Sequence, residues 1–288
     1  MIDSHVHLWS PAMPFHHWPG ADLPTIHRPF GLDDLTALDP TIDGVIVVQA
    51  QPDRRETDWL LALAARDARI LGVVGWLALD ADDATRQVAR YASHAAFVGV
   101  RPMLQALPDP DWILRDSVQP ALAAMAAHGL ALDALVQPRH LDALHALALR
   151  HPTLRIVIDH GAKPVIGDGG GDGSGDDGGR AAWRAGIAAL GRLPNVWCKL
   201  SGLWTEQAPG ADRDVVRTYV AHLLHCFPGR LMWGSDWPVL LLSGDGYADW
   251  LTFARAAVAA IAPDRMQAVF DGAARDAYRP ASRAIAAA

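Results

Sequence analysis

His5 and His7 stand one residue apart in the opening stretch IDSHVHLW. Side chains two apart on a strand point to the same face, so both imidazoles project to one side, close enough to share a ligand. Two further apolar runs end in residues of the same kind. Asp159 and His160 close LRIVIDHG, and Ser235 and Asp236 close RLMWGSDWP. Three histidines and a carboxylate make a nitrogen–oxygen set suited to Zn²⁺ or a similar divalent ion, with His5, His7, His160 and Asp236 as ligands. Singly, each has a bland explanation. His160 could be a satisfied polar residue at a strand end, and Asp236 could cap a turn before Pro238. The set gains meaning only if the three segments meet. His128, His140, His145, His151, His222 and His225 fall on or near helical patterns and read as structural or solvated.

What could make them meet is the alternation of elements. β-Branched or apolar runs occur at 1–7, 44–50, 69–79, 96–104, 130–137, 154–161, 195–202 and 230–238. Between them lie segments such as ETDWLLALAARD and SVQPALAAMAAHG, with apolar residues at helical spacing and Gly or Pro at their ends. Strands alternating with helices imply parallel βαβ units. Eight of them in 288 residues predict an α/β protein with a (β/α)8 TIM-barrel fold, one domain over residues 1–288. No GxGxxG or P-loop follows any strand, which disfavours a doubly wound open sheet. In a barrel, catalytic residues come from the C-terminal ends of the strands, where all four candidates lie. The stretch GDGGGDGSGDDGG at 167–179 has no apolar anchor and is expected to be a flexible, solvated loop on that same face.

The composition is that of a globular protein, 51% hydrophobic and 20% charged. A net charge of -7 argues against nucleic acid or an anionic membrane as partner. Cys198 and Cys226 have no metal or redox spacing and read as small hydrophobes. No basic, apolar leader and no run of membrane-span length is seen, so the expected compartment is the cytoplasm. Of the 25 cationic residues only Lys163 and Lys199 are lysines. Where an arginine-rich chain keeps lysine, a compact ammonium is specifically wanted.

IDSHVHLW, the strand-six histidine in IDHGAKP, KLSGL of strand seven and GSDWP of strand eight together resemble the amidohydrolase superfamily, in its branch of sugar-lactone hydrolases. The resemblance runs the length of the chain and implies a distorted barrel with a mononuclear or metal-independent hydrolytic site. Binuclear members carry a lysine at the end of strand four. Arg101 stands there in this chain, and Gln137 stands where many members have a strand-five histidine. At most one divalent metal is therefore expected, Zn²⁺ before others, and members of the branch need not require it.

The resemblance also implies a mechanism. Opening a lactone needs an activated water and a stabilised oxyanion. Asp236 is the expected base, with His160 as the second catalytic residue, and Arg101 and Lys163 as cations near the carbonyl. Arg101 could instead be a structural ion-pair partner, and Lys199 could pair a carboxylate inside the barrel. Tryptophan supplies 11 residues, roughly three times ordinary usage. Trp9, Trp18, Trp76, Trp204 and Trp237 fall near strand ends, where aromatic faces suit a sugar ring. Gln49 and Gln51 are candidates for hydroxyl contacts. Only Arg101 is clearly placed to bind a carboxylate substituent, with Arg54, Arg55 and Arg139 as further candidates, so a neutral small-molecule sugar lactone is preferred, of the L-fucono or L-rhamnono type by resemblance. The competing readings are a metal-dependent non-oxidative decarboxylase of an aromatic acid and a non-enzymatic sugar- or metal-binding barrel. Amide or phosphoester hydrolysis is disfavoured by the missing second metal site.

Overall fold

Each of the eight runs becomes a strand: β1 (Ile2–Val6), β2 (Gly44–Val48), β3 (Ile70–Gly75), β4 (Phe97–Val100), β5 (Ala131–Ala134), β6 (Arg155–Ile158), β7 (Val196–Leu200) and β8 (Leu231–Trp233). They pair in chain order, every pair parallel. The computed structural model describes residues 1–39, 41–167, 177–208 and 210–280. Around the strands lie α1 (Leu32–Leu38), α2 (Arg54–Ala64), α3 (Ala84–Ala92), α4 (Gln119–Ala127), α5 (Leu141–Arg150), α6 (Asp177–Gly191), α7 (Val216–Cys226) and α8 (Tyr247–Ile261). Buried on both faces, the strands are apolar along most of their length, as parallel strands covered by helices must be. Most of the glycine–aspartate stretch lies outside the described residues. Its last three residues, 177–179, are not loop: they form the first turn of α6, continuous with the helical run RAAWRAGIAALG.

Two apolar layers separate inside from outside. Val45, Val47, Val73 and Val100 pack outward under the helices, while Ile2, Ile46, Val48, Val74 and Val98 fill the barrel interior. Ile2 and His5 are three residues apart, so strict alternation would set them on opposite faces. The ladder between β1 and β2 slips between Asp3 and Val6. This irregularity lets Ile2 fill the floor and still turns His5 and His7 inward above it. A similar slip opposite β4 leaves Val98 inside and brings Arg101 inside as well. These are the distortions of the barrel, and they serve the site.

The barrel closes where the chain after β8 meets β1. The seam has one backbone bridge, Val6 to Trp237, with bonds from His7 N to Trp237 O (2.8 Å) and from Asp236 N to His5 O (2.9 Å), and Ser4 Oγ donates across it to Trp233 O at 2.7 Å. The floor is sealed by a last helix, α9 (Ala273–Tyr278), whose Ala273, Ala274, Ala277 and Tyr278 join the interior cluster. Arg155, the first residue of β6, donates to Ala277 O at 2.6 Å and fixes α9 to the N-terminal rim. No helix among the described residues is long and apolar enough to cross a membrane.

Candidate active site

The four strand-end residues converge. Asp236 Oδ1 lies 3.5 Å from His7 Nε2, 3.6 Å from His5 Nε2 and 3.8 Å from His160 Nε2. The two strand-one imidazoles face each other with Nε2 atoms 3.1 Å apart. All four side chains belong to residues no more than 3% exposed.

Sharp backbone turns aim them. His160, Gly161, Ala162 and Lys163 form a left-handed run after β6, with φ of 53°, 58°, 63° and 48°. Asp236 is also left-handed, at φ 58°. Such a conformation costs about 1–2 kcal/mol for each non-glycine residue and persists where surrounding contacts over-determine it. Trp183 Nε1 donates to Gly161 O at 2.7 Å, and Lys163 Nζ pairs with Glu206 at 3.0 Å. On strand eight, Asp3 does the holding. Its Oδ1 accepts from Ser235 N (2.9 Å) and His5 N (3.2 Å), and Tyr247 donates to its Oδ2 at 3.3 Å. Asp3 thereby ties the strand-one motif to GSDWP. Gly234 is required in that motif, because a Cβ there would stand 2.8 Å from His5 Cβ.

Burial pushes the Asp3 carboxyl up to about 6 despite those bonds. Its ordinary value in an unfolded chain is about 3.9. Below about pH 4 both states are protonated and the group has no effect. Between pH 4 and 6 the unfolded state ionises first, so this residue removes roughly 2–3 kcal/mol of stability as pH rises. Asp3→Asn keeps the acceptor for both N–H groups and removes the charge. Urea unfolding at pH 5 and pH 8 is expected to show a smaller loss between the two for Asp3→Asn than for the wild type. Equal losses would mean that Asp3 folds without this penalty.

The ring nitrogens are sorted by their partners. His7 Nδ1 is 2.8 Å from Val48 O, which only accepts, so Nδ1 carries the proton and the Nε2 lone pair faces inward. His160 Nδ1 is 2.9 Å from Ser201 Oγ, which leaves its Nε2 toward Asp236. Burial and the neighbouring Lys199 hold the His5 imidazole well below its usual range, and burial lowers His160 to about 4. Both are neutral near pH 7. Burial would raise Asp236, yet His160, then His7 and His5, hold it well below the usual carboxylate range. Asp236 is therefore ionised near pH 7, the form that can accept a proton.

The same donors suit a divalent cation. His5, His160 and Asp236 offer ligand atoms all within 4.8 Å of one another. His7 and His160 have Nδ1 engaged by fixed partners, the usual support of a ligating imidazole. His5 fits only in the form whose Nδ1–H turns to Asp159 Oδ1, 3.4 Å away.

The other expected contacts divide. Arg101 is at the site and buried: Nη1 lies 3.5 Å from His5 Nε2 and 3.4 Å from Asp159 Oδ2, while Nη2 donates to Gln49 O. Gln49 bridges to Arg101 O through Nε2 (2.8 Å), and its buried Oε1 has no protein partner. Trp18 and Trp76 are half-buried. Trp9 is buried, its ring 6.3 Å from His7 and its Nε1 spent on Ile26 O and Arg28 O. Gln51 is not free for a hydroxyl: its amide holds the backbone of His17 and Trp18. Trp204 is walled in by Trp250, Phe253 and Arg213, and Trp237 packs against Phe30. For these three the structure shows support or packing where sugar contact was expected, because Gln51 anchors the backbone at 17–18 and the Trp204 and Trp237 rings belong to the outer apolar layer. Asp3, Asp133, Asp159, Ser201 and Tyr278 support the site and had been given no role. Asp133 at least was detectable, as a carboxylate in an otherwise apolar strand.

A family model described as amidohydrolase matches residues 2–279. The chain belongs to the amidohydrolase family. This amidohydrolase is 43% identical over 284 residues to an L-fucono-1,5-lactonase of Burkholderia ambifaria, covering 96% of this chain and 95% of the relative. It is 35% identical over 255 residues to an L-fucono-1,5-lactonase of Burkholderia multivorans, covering 84% and 83%. Its fold matches the crystal structure of an amidohydrolase from Burkholderia multivorans with bound zinc, at a TM-score of 0.87 and 32% identity over 97% of this chain and 99% of that one.

Proposed function

We propose that this amidohydrolase is a lactonase that opens a neutral sugar lactone, L-fucono-1,5-lactone first among them, to the aldonic acid. The observation that carries the reading is Asp236 Oδ1 standing within 3.8 Å of three imidazole Nε2 atoms. The two lactonase relatives above 30% identity supply the substrate class. An aromatic-acid decarboxylase has less support.

In this mechanism Asp236 takes a proton from water as its oxygen attacks the carbonyl carbon. The charge that develops on the carbonyl oxygen is stabilised by an imidazole N–H and by Arg101. Collapse of the tetrahedral intermediate breaks the bond to the ring oxygen, which receives the proton from Asp236. Release of the aldonic acid and its ionisation free one proton per turnover. A divalent ion, held by His7, His160 and Asp236 with His5, would polarise the carbonyl and lower the pKa of water. Two other arginines are already committed, Arg55 to Asp53 and Arg139 to the carbonyls of Gln105, Leu107 and Pro108. Of the four candidate arginines, Arg101 is the one seen against the strand-end cluster, in keeping with a substrate that lacks extra carboxylates.

The test is proton release from L-fucono-1,5-lactone, followed with a pH indicator, before and after exhaustive chelation. Turnover above the spontaneous rate is expected in both cases. Loss on chelation would make the metal essential. No acceleration with any sugar lactone would overturn the lactonase reading.

A further inference from the structure

A lysine at the centre of the barrel has no part in the hydrolysis as described. Lys199, on β7, is fully buried. A buried ammonium costs several kcal/mol to desolvate, and its three N–H groups all need acceptors. Asp133 Oδ2 at 2.5 Å and His5 Nδ1 at 3.0 Å accept from it, and Asp159 Oδ1 stands 3.0 Å away as an ion-pair partner. Beneath it Tyr278 of α9 donates its hydroxyl to both oxygens of Asp133, at 2.9 and 2.8 Å. Arg101, paired with Asp159 at 3.4 Å, completes a cluster of two carboxylates and two cations.

An ammonium can only donate. His5 Nδ1 is therefore the acceptor, and the ring proton sits on Nε2, 3.1 Å from His7 Nε2. The donors then run one way: Lys199 to His5, His5 to His7, and His7 to the Val48 carbonyl. We propose that Tyr278, Asp133 and Lys199 form a positioning relay from the barrel floor to the active site. In the metal-free enzyme the relay fixes His5 as the Nε2–H tautomer, so that His5 offers a donor to the carbonyl oxygen of the lactone and is not then a metal ligand. None of the three touches substrate; each acts through the next. Asp159 Oδ1, 3.4 Å from Nδ1, and Arg101 Nη1, a donor 3.5 Å from Nε2, favour the opposite form, but both stand farther off than the Lys199 ammonium at 3.0 Å. Lys199 decides between them. A structural core lysine would need only its carboxylates, whereas this one spends a hydrogen on the imidazole.

The proposal rests on the lactonase reading only for its kinetic arm. The first arm is a long-range ¹H–¹⁵N spectrum of the histidine rings in the metal-free wild-type protein, with His5 assigned by its loss in His5→Gln. A non-protonated Nδ1 and a protonated Nε2 are expected for His5, and a protonated Nδ1 overturns the relay. The second arm is Tyr278→Phe, which removes one hydroxyl from Asp133. Its kcat on L-fucono-1,5-lactone is expected to fall about three- to thirty-fold at unchanged KM, the range a single buried hydrogen bond supports. The His5 Nδ1 resonance should move with it. A kcat within two-fold of wild type and an unmoved resonance would reduce Tyr278 to packing and overturn the relay. If the wild type opens no sugar lactone, the lactonase reading fails while the ring spectrum still decides the tautomer.

Discussion

Asp236→Asn is expected to lower kcat for lactone opening by about 10²–10⁴-fold, the usual contribution of a general base. The two side chains have nearly the same shape, so the left-handed turn at 236 and its backbone bond to His5 O should survive. What is lost is the ability to accept a proton from water. A carboxamide cannot replace a carboxylate that three imidazole Nε2 atoms surround at 3.5–3.8 Å. KM should change little, because the interaction is realised in the transition state. The checks are initial rates by proton release and thermal unfolding of the same preparation. A folded variant that keeps more than a tenth of the wild-type rate would place the base elsewhere.

Gly202→Ala should damage the site from outside it. Gly202 has φ of +61°, and a Cβ there would stand 2.5 Å from His160 Nδ1 and 2.7 Å from its Cγ. The left-handed backbone alone costs about 1–2 kcal/mol once a Cβ is present. The imidazole, held on its other side, must also leave its place beside Ser201 and Asp236. Misplacing a reacting group by about 1 Å costs on the order of 100-fold in rate. Gly210→Ala provides the control, since Gly210 has φ of +76° and nothing within 4 Å of its added Cβ. Both variants are expected to unfold a few degrees below wild type, but only Gly202→Ala should lose activity by about ten- to a hundred-fold. Equal activities would show that His160 tolerates displacement.

The strands are legible because they are buried on both faces, so GVIVV and ILGVVG carry their identity in composition alone. His5, His7, His160 and Asp236 are legible because one rule places every strand's end on one face. The irregularity in β1 is not, since nothing in IDSHV marks where a ladder will slip. The tryptophans mislead for a related reason. A large ring near a strand end can face the mouth or the helices, and tertiary packing decides. The floor cluster combines β5, β7 and α9, with Tyr278 145 residues from its carboxylate partner. Asp133 and Lys199 stand out as charges in buried strands, but their meeting with Tyr278 depends on where the last helix docks.

The seam has a further consequence. His5 and His7 belong to the first strand and Asp236 to the turn after the last, so the reactive cluster spans the join between the two ends of the fold. Neither half of the chain carries the complete centre: His5 and His7 lie in the first half, His160 and Asp236 in the second. Two backbone bonds and the Ser4 and Asp3 side chains hold this join, where seven full ladders hold the rest. Catalytic competence in this architecture is thus a report on ring closure, because only the closed ring brings the imidazoles of the first strand to the carboxylate after the last.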